Sequence, residues 1–304
     1  MGLAKALFVA IDKLYDPLQN KRRMTKFKDV DFVIDTDIVY DESAPDICKL
    51  DTYRVAREGK YPVLFYIHGG GFVAGDKKYR RALSRWSANQ GYFVVNVNYG
   101  LGPDCLFPEP LRQIVRAFNW VEKHAEELNL DTDRMIVSGD SAGGYYAAML
   151  ACVTTNPVMQ ERLGVSTKLR FQGAIFNCGI YDLATALTAK VPFGLADKIL
   201  WDFANVKKAD LKDYEWYNMC APLDYINADF PASFVTYAGK DFFCGGQGPK
   251  LVEKLKSLGV HVEEYGSVKF MDNHCFSLTW KGKAARANND ATADFMKRFA
   301  EGKI

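Results

Sequence analysis

An excess of charge of either sign is missing from this sequence: 39 lysines and arginines stand against 37 aspartates and glutamates, a net +2 over 304 residues. So even a balance offers no field to draw in nucleic acid or an anionic membrane surface, and neither is expected as a partner. The one basic cluster, Lys21, Arg22 and Arg23, is expected to be a solvated loop. Long apolar runs are missing too. The run at residues 6–11 is short and is followed by Asp12 and Lys13 instead of a small-residue cleavage site, which predicts an amphipathic helix and not a signal peptide or a membrane span. None of the seven cysteines (48, 105, 152, 178, 220, 244 and 275) forms a C-x-x-C pair, and their odd number and irregular spacing signal neither a disulfide framework nor a zinc site. Free thiols in a reducing cytoplasm are the expectation. No internal repeat, low-complexity tract or Pro/Gly/Ser linker divides the chain. Histidine is scarce, with four in all, so any chemistry that needs an imidazole has few candidates.

What is present is a change of rhythm. Residues 28–56 alternate loosely between polar and apolar, as half-exposed antiparallel strands do. Residues 62–67 and 92–97 are continuous apolar runs of the kind covered on both faces of a sheet. Ile114, Phe118, Val121, Ala125 and Leu128 recur every three or four positions and predict a helix with one buried face. Strands are expected at residues 135–137, 171–176, 233–237 and 260–265, with helices at 78–89, 145–153, after Pro249, and at 290–299. This alternation predicts an α/β fold, a mostly parallel sheet with helices on both faces and a ligand site at the strand C-terminal ends. Residues 181–229 are too long for one crossover and carry Phe193, Trp201, Phe203, Trp216 and Tyr217; they are expected to form an inserted cap.

Three consecutive glycines, Gly69, Gly70 and Gly71, end the first apolar strand. Glycine is costly to order, so a triplet there implies that something must approach bare backbone. The stretch Gly139-Asp140-Ser141-Ala142-Gly143-Gly144 lies between a strand and a helix, the context of a G-x-S-x-G nucleophile elbow with Ser141 as nucleophile. A serine needs a base, and that base needs an acid to hold its tautomer. His68 belongs to the glycine loop, His124 lies on a helix and His261 alternates with Val260 and Val262 on a strand, which leaves His274 in the loop after the last strand. Asp241 follows a strand and the Gly239 turn, and the order Ser141, Asp241, His274 is that of the α/β-hydrolases; Asp272 and Asp140 are the competing acids. The amides of Gly70, Gly71 and Ala142 are then the expected oxyanion hole, each donor contributing about 3 kcal/mol to the transition state.

Through His68-Gly69-Gly70-Gly71-Phe72 and Gly139-Asp140-Ser141-Ala142-Gly143-Gly144 the chain resembles the hormone-sensitive lipase family of α/β-hydrolase carboxylesterases. The resemblance runs from about residue 61 to 276 and takes in residues 98–103 and Phe107-Pro108, similar to that family's tyrosine-leucine-proline stretch. It implies a single α/β-hydrolase domain over 1–304, with cap elements from about 1–30 and 182–229. It also implies hydrolysis of short-chain acyl or aryl esters through an acyl-enzyme, and no cofactor. Tyr145 stands where the family usually has asparagine, Gly100 where it often has arginine, Cys275 where glycine usually follows the histidine, and Gly245 where an acid is frequent. Phe72 and Tyr145 are expected to touch substrate, a small ester molecule. A deacetylase or an amide or peptide hydrolase on the same residues, and a non-catalytic ligand receptor on the same scaffold, are the rival readings, and a homo-oligomer is left open.

Overall fold

The computed structural model of the protein describes residues 2–17, 20, 25–182, 186, 194–269 and 271–304. Of the residues singled out above, Lys21, Arg22, Arg23 and Phe193 lie outside them. Eight strands form one sheet: β1 (Phe32–Val39), β2 (Lys49–Val55), β3 (Tyr61–Ile67), β4 (Phe93–Val97), β5 (Leu130–Asp140), β6 (Gly173–Asn177), β7 (Ala232–Ala238) and β8 (Val262–Ser267). Their order is β1-β2-β4-β3-β5-β6-β7-β8. The two N-terminal strands pair antiparallel, matching their alternating pattern, and every pairing from β4 to β8 is parallel.

Continuous apolar runs become fully buried strands because each face meets helices. On β3, Val63, Phe65 and Ile67 point into the larger core with Leu111, Ile114 and Phe118 of a helix spanning Glu109–His124, while Leu64 enters a second core with Phe295 and Phe299 of a helix spanning Gly282–Ala300. That last helix begins eight residues earlier than the sequence pattern suggested. Its first turns carry buried Ala284 and Ala285, side chains too small to mark a face.

Phe65 is fully buried and meets Phe118 edge to face at 5.7 Å and Phe171 at 6.2 Å. Phe65→Ala leaves a cavity under the sheet centre and is expected to lower the unfolding free energy by about 3–5 kcal/mol, as read from the urea midpoint. A loss below 1 kcal/mol would mean that the two helical layers collapse to fill the space.

The parallel register sets the site. Ile67 pairs with Gly139 and Asp140 with Asn177, so the C-terminal ends of β3, β5 and β6 sit side by side, with β7 and β8 continuing the same edge. Across that edge lie α1 (Leu3–Asp16) and, named here as α2, the helix Leu195–Ala204; Ala4 and Phe8 of α1 pack with Leu195 and Ile199 of α2 and with Val73 and Ala74 of the glycine loop. No described helix is long and apolar enough to cross a membrane.

Candidate active site

Ser141 stands between β5 and the helix Ala142–Thr155, with φ 54° and ψ −121°. L-residues rarely hold that conformation, and it costs on the order of 1–3 kcal/mol. The surroundings enforce it. A Cβ on Gly139 would meet the Gly143 carbonyl oxygen at 2.3 Å, and one on Gly143 would meet the Ile67 oxygen at 2.1 Å, so side chains at either position would force the turn away from β3. The Ser141 N–H donates to the Asn177 carbonyl at 2.9 Å, pinning the turn to β6.

Three distant side chains converge here. His274 Nε2 lies 2.8 Å from Ser141 Oγ, and His274 Nδ1 lies 2.8 Å from Asp241 Oδ2. Asp241 Oδ1 accepts from the Phe243 and Cys244 N–H groups at 2.8 and 2.9 Å, which leaves Oδ2 to aim at the imidazole. Asn273 Oδ1 accepts from the His274 N–H at 2.7 Å, and the Phe243 ring packs 5.1 Å from the imidazole. Burial opposes the imidazolium, yet the Asp241 carboxylate, helped by Cys244, outweighs it and holds the His274 pKa well above the ordinary histidine value. Burial likewise pushes the Asp241 carboxyl upward, but the facing imidazole and the two backbone donors bring it below its ordinary value.

The other candidates lie elsewhere. His68 is buried, stacks on Tyr99 at 4.6 Å and is held neutral, its pKa pushed down to about 4 mainly by burial. His124 closes its helix and stacks on Trp120, and His261 is exposed beside Glu263. Asp272 accepts from the Ser267 hydroxyl at 2.5 Å. Asp140 is buried under the elbow, where Arg80 grips it through Nε and Nη2 at 2.8 and 2.7 Å and the Tyr66 hydroxyl donates at 2.7 Å.

The glycine loop faces the serine. The Gly70 carbonyl accepts from the Val73 and Ala74 N–H groups, while among the described residues neither the Gly70 nor the Gly71 N–H donates to another backbone carbonyl. Gly70 has φ 139° and Gly71 φ 61°, and a Cβ would meet Ala74 oxygen at 2.0 Å or the Phe8 ring at 2.2 Å respectively. The Ala142 N–H, first in its helix, also lacks an intrahelical acceptor.

An apolar cavity beside Ser141 is lined by Phe72, Tyr145, Leu200, Phe203 and Phe243, together with Phe8 and Gly71. Phe72 meets Tyr145 edge to face at 5.3 Å and Phe203 at 4.8 Å. Phe8 and Asp12 of α1, Arg80 and Leu278 also border the site and were not singled out by sequence. An acid following the short apolar run was the one available sign for Asp12. Cys275 takes φ 52°, which accounts for glycine being usual there in the family the sequence resembles. Ligand atoms of Asp241, Cys244 and His274, and of Cys178, His274 and Cys275, lie within 4.8 Å of one another, so a thiophilic cation held by either set would occupy the same imidazole.

Residues 50–255 match the family model described as BD-FAE. The chain is 28% identical over 260 residues to the probable carboxylic ester hydrolase LipM of Mycobacterium tuberculosis, a match covering 84% of this chain and 59% of that protein. It is 25% identical to esterase LipQ of the same organism, with 81% and 58% covered, so the chain spans somewhat under three fifths of the curated relatives it matches. Among solved structures it resembles esterase B of Lactobacillus rhamnosis, inhibited by a C6-C4 SN3 compound, with TM-score 0.79, 21% identity and 98% of each chain covered. The fold is thus the α/β-hydrolase fold, and the likeness to hormone-sensitive-lipase-type esterases read from the two glycine motifs is borne out.

Proposed function

We propose that the chain, which belongs to the BD-FAE family, is a serine-dependent carboxylic ester hydrolase that works through an acyl-enzyme. The observation that carries this reading is the relay of Ser141 Oγ, His274 and Asp241 at 2.8 Å per step. In it, His274 Nε2 takes the Ser141 proton as Oγ attacks the ester carbonyl. The oxyanion is held by the Gly70, Gly71 and Ala142 N–H groups, and the imidazolium then protonates the leaving alcohol. Water, deprotonated by the same imidazole, releases the acid. Asp241 holds the tautomer and offsets the imidazolium charge.

The acyl group enters the apolar cavity, lined among others by Phe72, Tyr145 and Phe203, and an aromatic lining of this kind suits a short acyl or aryl group. The names of LipM and LipQ support ester chemistry. In this reading the chain is one domain, with cap elements from about 1–30 and 182–229, of which 1, 18–19, 21–24, 183–185 and 187–193 lie outside the described residues. Its seven free cysteines suit a reducing cytoplasm.

Treatment with a fluorophosphonate followed by peptide mass spectrometry should place the label on Ser141, and the chain should hydrolyse p-nitrophenyl butyrate far faster than butyryl p-nitroanilide. Label on another residue, or none, with no release of nitrophenol, would sink the reading; faster anilide turnover would turn it toward amide hydrolysis.

Because only the neutral imidazole accepts the serine proton, activity is lost as pH falls through the His274 pKa. That pKa lies well above the ordinary value, so the acid limb of kcat/KM against pH should have its midpoint above about 6.5. A limb centred below that value would mean that the Asp241 carboxylate does not govern the base.

A further inference from the structure

Ser141 lies where two cavities of different chemistry meet. The first is the apolar one. The second is bordered by Ser141, His274 and Gly70 and has an ionic floor made by Asp12, Arg80 and Asp140. His274 borders the second cavity and not the first. In the reaction proposed above, the imidazolium hands its proton to the leaving alcohol, so the alcohol half of the ester must lie on the His274 side. The acyl half is left with the apolar cavity.

The ionic floor is incompletely paired. Arg80 commits Nε and Nη2 to Asp140 at 2.8 and 2.7 Å. Asp12, 5% exposed, reaches down from α1, but its Oδ1 stops 3.8 Å from Arg80 Nη1, beyond hydrogen-bond reach. Its Oδ2 has no hydrogen-bond partner among the described residues. One cation thus faces two acids, and among the described residues one buried oxygen of Asp12, a residue that borders the cavity on the His274 side, has no donor. An orphaned buried acceptor costs free energy that a bound donor recovers. Burial accordingly pushes the Asp12 carboxyl up to about 6.

We propose that Asp12 is a specificity-determining acceptor for a hydrogen-bond donor carried on the alcohol half of the ester, so that esters of hydroxylated or amino alcohols are preferred over esters of simple alkanols. This rests on the esterase reading. The donor is either the hydroxyl of a diol, polyol or sugar, or the N–H of an ammonium group, and the two respond differently to substitution. Asp12→Leu removes the acceptor altogether. Asp12→Asn keeps a carbonyl oxygen that accepts from a hydroxyl but loses the negative charge that an ammonium needs.

The test is kcat/KM, followed by butyrate release at constant pH, for butyl, 3-methoxypropyl, 3-hydroxypropyl and 3-(dimethylammonio)propyl butyrates. The wild-type chain should favour at least one donor-bearing ester over both the butyl and the methoxypropyl esters by about tenfold. That preference should fall to about one in Asp12→Leu. In Asp12→Asn, a hydroxyl preference should persist and an ammonium preference should vanish, which identifies the donor and serves if the leucine variant fails to fold. A wild-type chain that hydrolyses the butyl ester readily yet shows no donor preference overturns the subsite and leaves the esterase reading standing. An unchanged preference in folded Asp12→Leu also overturns it. Hydrolysis of none of the four esters, with no fluorophosphonate label on Ser141, overturns both.

Discussion

Ser141→Ala is expected to lower kcat for p-nitrophenyl butyrate by roughly 10⁴-fold or more, with the circular dichroism spectrum and the urea midpoint close to those of the wild type. The size follows from the relay acting as one unit: with no nucleophile, the imidazole and the oxyanion donors have nothing to deliver or receive, and only their residual effect on water attack is left. The fold is expected to survive, because the Ser141 side chain makes one described hydrogen bond, to His274, while the elbow itself is held by the Asn177 carbonyl and the two flanking glycines. Alanine tolerates φ 54° no better than serine, so a small loss of stability is allowed for. Wild-type turnover in the alanine variant would remove Ser141 from the chemistry whatever the distances.

Arg80→Leu should produce the second large effect, on stability. Arg80 is 5% exposed and Asp140 2% exposed, and the guanidinium meets both carboxylate oxygens. Burial alone would push the Asp140 carboxyl up; the Arg80 charge and its hydrogen bonds hold it below the ordinary carboxylate value. Removing the cation leaves a buried anion whose remaining side-chain donor among the described residues is the Tyr66 hydroxyl, with Asp12 as a like charge nearby. A single broken buried pair costs about 3–5 kcal/mol, more than an exposed pair, which is worth about 1 kcal/mol or less. The double variant Arg80→Leu with Asp140→Asn removes the stranded charge and should be more stable than Arg80→Leu alone. If the single variant unfolds within 1 kcal/mol of the wild type, or the second substitution restores nothing, the pair is not what braces the elbow.

Much of this was legible in the residues, for identifiable reasons. The strand and helix rhythm could be read because the central strands are covered on both faces and so are apolar throughout, and the elbow because the Gly139 and Gly143 backbones touch β3 with no room for a side chain. His274 could be reached by elimination only because histidine is scarce. What escaped was of another kind. Phe8 and Asp12 reach the serine from a helix more than a hundred residues away in the chain, and no local pattern encodes which loop a surface helix will lie across. Asp140 stands in the sequence only as a competing acid; its burial depends on Arg80, sixty residues earlier. The first turns of the last helix are hidden from the sequence because alanines there give no amphipathic signal.

The placement of α1 separates two kinds of work. Groups that make and break bonds in the proposed reaction sit along the C-terminal edge of the sheet, Ser141 directly after β5 and Asp241 and His274 in the loops that follow β7 and β8, whereas Phe8 and Asp12, which wall the cavities, hang from a helix that packs on Val73, Ala74, Leu195 and Ile199. Evolution, or a protein engineer, can therefore retune which alcohol is accepted by rewriting one N-terminal segment while the reactive apparatus is inherited unchanged.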